Sequence, residues 1–169
     1  MIHLLVGIPG SGKSTYANEL KKILKCEVIS TDNVRNMHPD WEEPLVWEHV
    51  YYLVAEALKN NIDVIFDATN PTVKVRKRFM DEVSKHDVIL KIGAYFFDTP
   101  WEECRDRVII RNDMPGERFL PPEVVESYGK SVTKPTFDEG FMFIKTVKYG
   151  KIIEGLYVSL MKKVLAKIL

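Results

Sequence analysis

The chain has 169 residues, 46% of them hydrophobic and 28% charged, with basic and acidic side chains in equal number. Those values suit one domain with a substantial core and exclude general disorder, and a net charge of zero excludes gripping long nucleic acid by overall charge alone. Cys26 and Cys104 match no ligand or redox spacing, no apolar run approaches a membrane span, and the first strand leaves no room for a signal peptide. A cytoplasmic enzyme is the expectation.

The first strand is the apolar run 2–6. Gly7, Ile8, Pro9, Gly10, Ser11, Gly12, Lys13, Ser14 and Thr15 follow it directly, which is G-x-x-x-x-G-K-S between a strand and a helix. Gly7, Gly10 and Gly12 permit a bend that turns successive backbone N–H groups inward around a phosphate. Lys13 can reach the terminal phosphates of a nucleoside triphosphate, and the Ser14 hydroxyl suits Mg²⁺. The helix over 13–24, with Tyr16, Leu20, Ile23 and Leu24 on one face, adds its N-terminal dipole to the same anion site.

A short strand over 27–30 comes next, then an amphipathic helix over 46–59 and a buried-type strand over 62–66. Pro71 opens a helix running to about 86, with Thr69 or Asn70 as its cap. Residues 88–97 form a strand, and Pro100 opens a helix to Arg111. A Gly- and Pro-containing loop over 112–122 precedes a short helix over 123–132. The last strand covers 141–147 and a final helix 153–168, with Leu156, Leu160, Val164 and Ile168 packed on the sheet. Strand and helix alternate throughout. The pattern predicts one three-layer α/β domain over 1–169, with a mainly parallel five-stranded sheet and a helical lid at about 107–122. Ligands of such sheets lie at the carboxyl ends of the strands.

Asp67 closes a strand in Asp67-Ala68-Thr69-Asn70-Pro71, where a P-loop finds the acidic partner for its magnesium; its competing use is a turn or cap. Asp32, just past the second strand, is placed to orient an attacking hydroxyl and take its proton. Arg35, one turn later, could hold an acceptor phosphate; the plainer alternative has Asp32 capping a helix and Arg35 in solvent. Arg107 and Arg111 share a helix face leading into the lid and suit triphosphate charge, with Arg118 a weaker candidate. Lys74, Arg76, Lys77 and Arg78 oppose the dipole of their helix and read as a solvated charged face. Trp41, Trp47, Tyr51 and Tyr52 read first as core and second as base-stacking surfaces. The histidines show no metal-ligand spacing.

This ordered set resembles the kinase domain of polynucleotide 5′-hydroxyl kinases over roughly 1–145. The resemblance rests on the P-loop, the Asp32 segment, Asp67-Ala68-Thr69-Asn70-Pro71, Phe97-Asp98-Thr99-Pro100-Trp101-Glu102, the Arg107/Arg111 helix, and Pro135-Thr136-Phe137-Asp138-Glu139-Gly140-Phe141. It implies transfer of the γ-phosphate of ATP to the 5′-hydroxyl of DNA or RNA, with a nucleic-acid end as partner. By position, Lys13 and Ser14 would serve phosphates and Mg²⁺, Asp32 would be the general base, and Arg35 would meet the acceptor phosphate. Arg111 would be the lid arginine, while Asp67, with Asn70 nearby, would act at the acceptor hydroxyl or the metal. Thr31 stands where the family often has Arg, and no Asp-x-Asp-x-Thr segment of a phosphatase half is present. A kinase of a small alcohol, nucleoside or modified base in DNA, and a non-catalytic ATP-binding module, are the alternatives.

Overall fold

A computed structural model describes residues 1–157. Within them the chain runs β1 (Ile2–Val6), α1 (Lys13–Leu24), β2 (Glu27–Ser30), α2 (Thr31–Met37), α3 (Glu43–Lys59), β3 (Val64–Asp67), α4 (Val73–Ser84) and β4 (Ile92–Phe97). Then come α5 (Trp101–Asn112), α6 (Pro122–Ser131), a 3₁₀ turn (Phe137–Glu139), β5 (Phe143–Lys148) and β6 (Lys151–Tyr157). The strands form one sheet in the order β2-β3-β1-β4-β5-β6, parallel except for the β5–β6 pair. This is the α/β P-loop kinase fold, a mostly parallel six-stranded sheet flanked by six helices among the described residues.

β1 is central, and the order reverses there, which opens a crevice at its carboxyl end. All five of its residues are buried because both faces are covered. Leu4 and Val6 pack with Val50 and Val54 of α3 and Phe79 and Val83 of α4, whereas Leu5 points the other way onto Ala17 and Leu20 of α1. Phe66 and Phe79 stack at 4.2 Å between ring centres, locking β3 against α4. Each fully buried ring of this kind contributes about 1.5–3 kcal/mol through removal from water. A smaller cluster of Ile8, Cys104, Val108 and Val125 joins α5 and α6 to the loop after β1.

The sheet has one strand more than expected, and the predicted helix from 153 begins instead as β6. Tyr149 and Gly150 both take positive φ (49° and 73°), which forms a tight turn and sends the chain back antiparallel along β5. Apolar residues four apart imitated a helical stripe there. Leu160, Val164 and Ile168, with the rest of that expected helix, lie outside the described residues.

Three local expectations change as well. Thr72, not Thr69 or Asn70, caps α4 by accepting a hydrogen bond from the Val75 N–H at 3.3 Å, so Pro71 precedes the helix. On α1, Ile23 is exposed, and Ala17 takes the buried place beside Leu20. Of the four aromatics expected in the core, only Tyr52 is exposed; Tyr51 is buried, and Trp41 and Trp47 pack against the core, Trp41 also stacking on His38. No described helix is long and apolar enough to cross a membrane.

Candidate active site

The loop between β1 and α1 is shaped by its glycines. Gly10 has φ 82°, and a Cβ there would lie 2.4 Å from the Cys104 carbonyl oxygen of α5. Gly12, with φ 93°, is the N-cap of α1 and offers no side-chain cap, so the first N–H groups of the helix stay available to an anion. Three of the loop carbonyls accept hydrogen bonds from side chains. Ile8 O accepts from Lys13 Nζ at 2.9 Å, Gly10 O from Arg107 Nη1 at 3.2 Å, and Ser11 O from Thr99 Oγ1 at 3.4 Å. Pro9 sits between Ile8 and Gly10 on the half-exposed rim, and Ser14 and Thr15 open α1 as exposed residues.

Lys13 is buried, and desolvation pushes its ammonium below the ordinary lysine value. The charges of Asp67 and Asp32 pull it back up and that of Arg111 pushes it further down. Asp67 ends β3 in register with Ser30, the last residue of β2, and is buried. Just beyond it, Thr69 O accepts from the Gly7 N–H at 3.0 Å, and Asn70 Nδ2 donates to Leu5 O at 2.8 Å. The Asp67 loop is thereby stitched to both sides of the point where β1 becomes the phosphate loop. Asn70 is buried at positive φ (46°), so its place is beneath the site, not on its surface.

Ser30 caps α2, accepting from the Asn33 N–H at 3.0 Å, and this puts Asp32 in the first helical turn, where the dipole favours a carboxylate. The Asp32 side chain is 75% exposed. Arg35 Nη1 donates to Asp32 Oδ1 at 2.7 Å, while its Nε and Nη2 make a two-pronged contact with Glu43 at 2.7 and 2.9 Å. That contact holds the Glu43 carboxyl below its ordinary range. Arg35 is therefore neither in solvent nor free.

Across the crevice, α5 carries Arg107 and Arg111, and residues 113–121 form the exposed connection to α6. Asn112 closes that connection, donating to Leu120 O at 2.8 Å and accepting from Leu120 N–H at 3.0 Å. The closure presents Arg118, whose Nη1 lies 3.9 Å from Asp32 Oδ1. Arg111 Nε lies 3.6 Å from Glu117 without a hydrogen bond. Three buried side-chain atoms lack a partner among the described residues: Ser11 Oγ, Asn70 Oδ1 and Arg111 Nε. All three belong to residues expected at the nucleotide or acceptor site, and unpaired buried polar atoms of this kind suit a polar ligand.

Arg76 departs from the expected solvated face. Lys74, Lys77 and Arg78 are exposed as expected, but Arg76 is fully buried against Glu139. A cation early in a helix opposes the dipole, and that conflict was the available signal.

Residues 2–135 match the family described as an AAA domain. The chain belongs to that family. With this fold, the AAA domain's loop after β1 is a nucleotide site. The domain is 26% identical over 148 residues to a bifunctional polynucleotide phosphatase/kinase of Schizosaccharomyces pombe, covering 88% of this chain and 33% of that protein. It is 30% identical over 143 residues to an L-seryl-tRNA(Sec) kinase of Methanococcus maripaludis, covering 80% of this chain and 53% of that protein. It thus spans a third to about half of these relatives. Among solved structures it is similar to Chaetomium thermophilum Kti12 in complex with ADP-AlF3, with a TM-score of 0.68 and 17% identity over 99% of this chain and 97% of that one.

Proposed function

We propose that this AAA domain transfers the γ-phosphate of ATP, with Mg²⁺, to the 5′-hydroxyl of DNA or RNA. The observation that carries this reading is the exposed Asp32 carboxylate with Arg35 at 2.7 Å and Arg118 at 3.9 Å. A carboxylate flanked by two guanidiniums at the mouth of a phosphate loop suits an acceptor whose hydroxyl sits beside a phosphate. A 5′ nucleic-acid end has that chemistry, and the phosphatase/kinase similarity favours it.

In this reading the backbone N–H groups of residues 10–15 and Lys13 hold the β- and γ-phosphates. Arg107 and Arg111 cover them, and Ser14 and Asp67 ligate the cation. Among the described residues no group of three His, Cys, Asp or Glu could hold a metal alone. Phosphate oxygens and water would complete the shell, as is usual for Mg²⁺. Asp32 orients the acceptor hydroxyl and takes its proton as the new P–O bond forms and the β–γ bridge breaks. Arg35 and Arg118 bind the acceptor phosphate, and Asn70 serves from beneath by holding the Asp67 loop to the Leu5 carbonyl.

One observation favours a second reading. Glu43 already engages Arg35, and Asp40, Glu42 and Glu48 add exposed carboxylates around the start of α3. A long polyanion meets repulsion there, whereas a small alcohol or a nucleoside meets less. Incubation with γ-labelled ATP, Mg²⁺, 5′-hydroxyl oligonucleotides and a panel of small alcohols separates the two readings by where the label goes.

A further inference from the structure

The fully buried Arg76 guanidinium is tied on every side. Its Nε and Nη2 donate to Glu139 at 2.7 and 2.8 Å, and its Nη1 to the carbonyls of Asn70 (3.1 Å), Pro71 (3.2 Å) and Thr133 (3.0 Å). Glu139 is fixed in turn by the Thr136 N–H at 3.0 Å in a capping box. Thr133 N–H also donates to Pro71 O at 2.8 Å. Thr133 lies two residues past the end of α6, whose other end receives residues 113–121. Asn70 belongs to the loop that carries Asp67 and grips Leu5. One side chain of α4 therefore bridges the exit of the α5–α6 unit to the loop beneath the phosphate cradle.

A fold could close this space with apolar side chains at less desolvation cost, since a buried ion pair is weak evidence for stability in itself. Its geometric content is different. Five donors in a rigid fork fix three carbonyls from two separated segments in one arrangement, which no apolar pair can do. We propose that Arg76 is a positioning residue, and that the Arg76–Glu139 pair couples ordering of residues 113–121 over bound nucleotide to the placement of Asp67. The proposal rests on reading 113–121 as a lid above the triphosphate.

The test follows amide hydrogen exchange of residues 113–121 in the whole chain, with and without ADP, Mg²⁺ and aluminium fluoride, together with kcat and KM for ATP. Arg76→Lys keeps a charge opposite Glu139 but cannot reach the three carbonyls. Asn70→Gly tolerates the positive φ and removes the side-chain links to the Leu5 and Ala68 carbonyls. In the wild type, nucleotide should slow exchange in 113–121 by about tenfold or more. In both variants we expect that protection to be lost and kcat to fall about tenfold or more, with the KM for ATP within about threefold of wild type. If Arg76→Lys does not fold, Glu139→Gln, which keeps the shape of the side chain but breaks one of its two contacts with Arg76, decides by the same readouts. Variants that fold and keep wild-type protection overturn the proposal, as does a wild type showing none. Exchange is measured without any acceptor, so a wrong acceptor assignment would show only in label transfer.

Discussion

Arg118 Nη1, on the connection between α5 and α6, lies 3.9 Å from Asp32 Oδ1 in the first turn of α2. This pair spans the crevice, and Arg35 reaches the same oxygen from α2 itself. An exposed carboxylate held between cations from both walls is the centre of the functional reading, and its consequences are measurable.

Asp32→Asn keeps the shape and hydrogen-bonding reach of the side chain but removes its basicity. Phosphoryl transfer should fall by about 10²–10⁴-fold. ATP affinity, measured by titration calorimetry, should change little, because the backbone cradle and Lys13 are untouched.

Arg118→Ala removes a cation whose side chain is 71% exposed. Solvent screening keeps the effect modest, so the acceptor KM should rise roughly threefold to tenfold. Initial-rate kinetics with ATP saturating will read this, and the effect should shrink as salt is added.

Burial holds the Lys13 ammonium below the ordinary lysine range because it disfavours the charge. The charged form binds the phosphates, so kcat/KM for ATP should decline on the alkaline side at a lower pH than an exposed lysine would give. Raising pH removes the cation, so the sign is loss with rising pH. A bound triphosphate favours the charged form, so the corresponding limb in kcat should lie at higher pH.

Gly10→Ala places a methyl group 2.4 Å from the Cys104 carbonyl at φ 82°. The backbone strain alone is on the order of 1–3 kcal/mol, and the clash adds to it. A lower thermal midpoint together with loss of nucleotide affinity is expected. A stable variant with normal affinity would show that the loop does not need its close approach to α5.

Cys104 is buried, and burial pushes its thiol up to about 11. Burial raises Cys26 as well. Neither should react quickly with a thiol reagent in the native protein at neutral pH, and both should react on unfolding.

Much of this was legible in the sequence where structure is locally determined. The bounds of β1, α1 and β2 follow from the apolar run, the glycine loop and the short strand, and the fold has them residue for residue. The nucleotide loop was equally plain, since its chemistry is confined to consecutive residues. What stayed hidden depends on distant partners. Arg76 looked like one member of a charged face because Glu139 lies 63 residues away. Ile153 and Leu156 suited a helix because nothing local shows that Tyr149 and Gly150 both adopt positive φ. Arg118 could be ranked only once Asn112 was seen pinching the loop that presents it.

The most direct measurement is transfer of label from γ-labelled ATP, with Mg²⁺, to a 5′-hydroxyl oligonucleotide, comparing wild type with Asp32→Asn. Stable label on the oligonucleotide 5′ end with wild type, and its near absence with the variant, is the result expected here. An unlabelled oligonucleotide beside a labelled small alcohol, or equal labelling by wild type and variant, would contradict it.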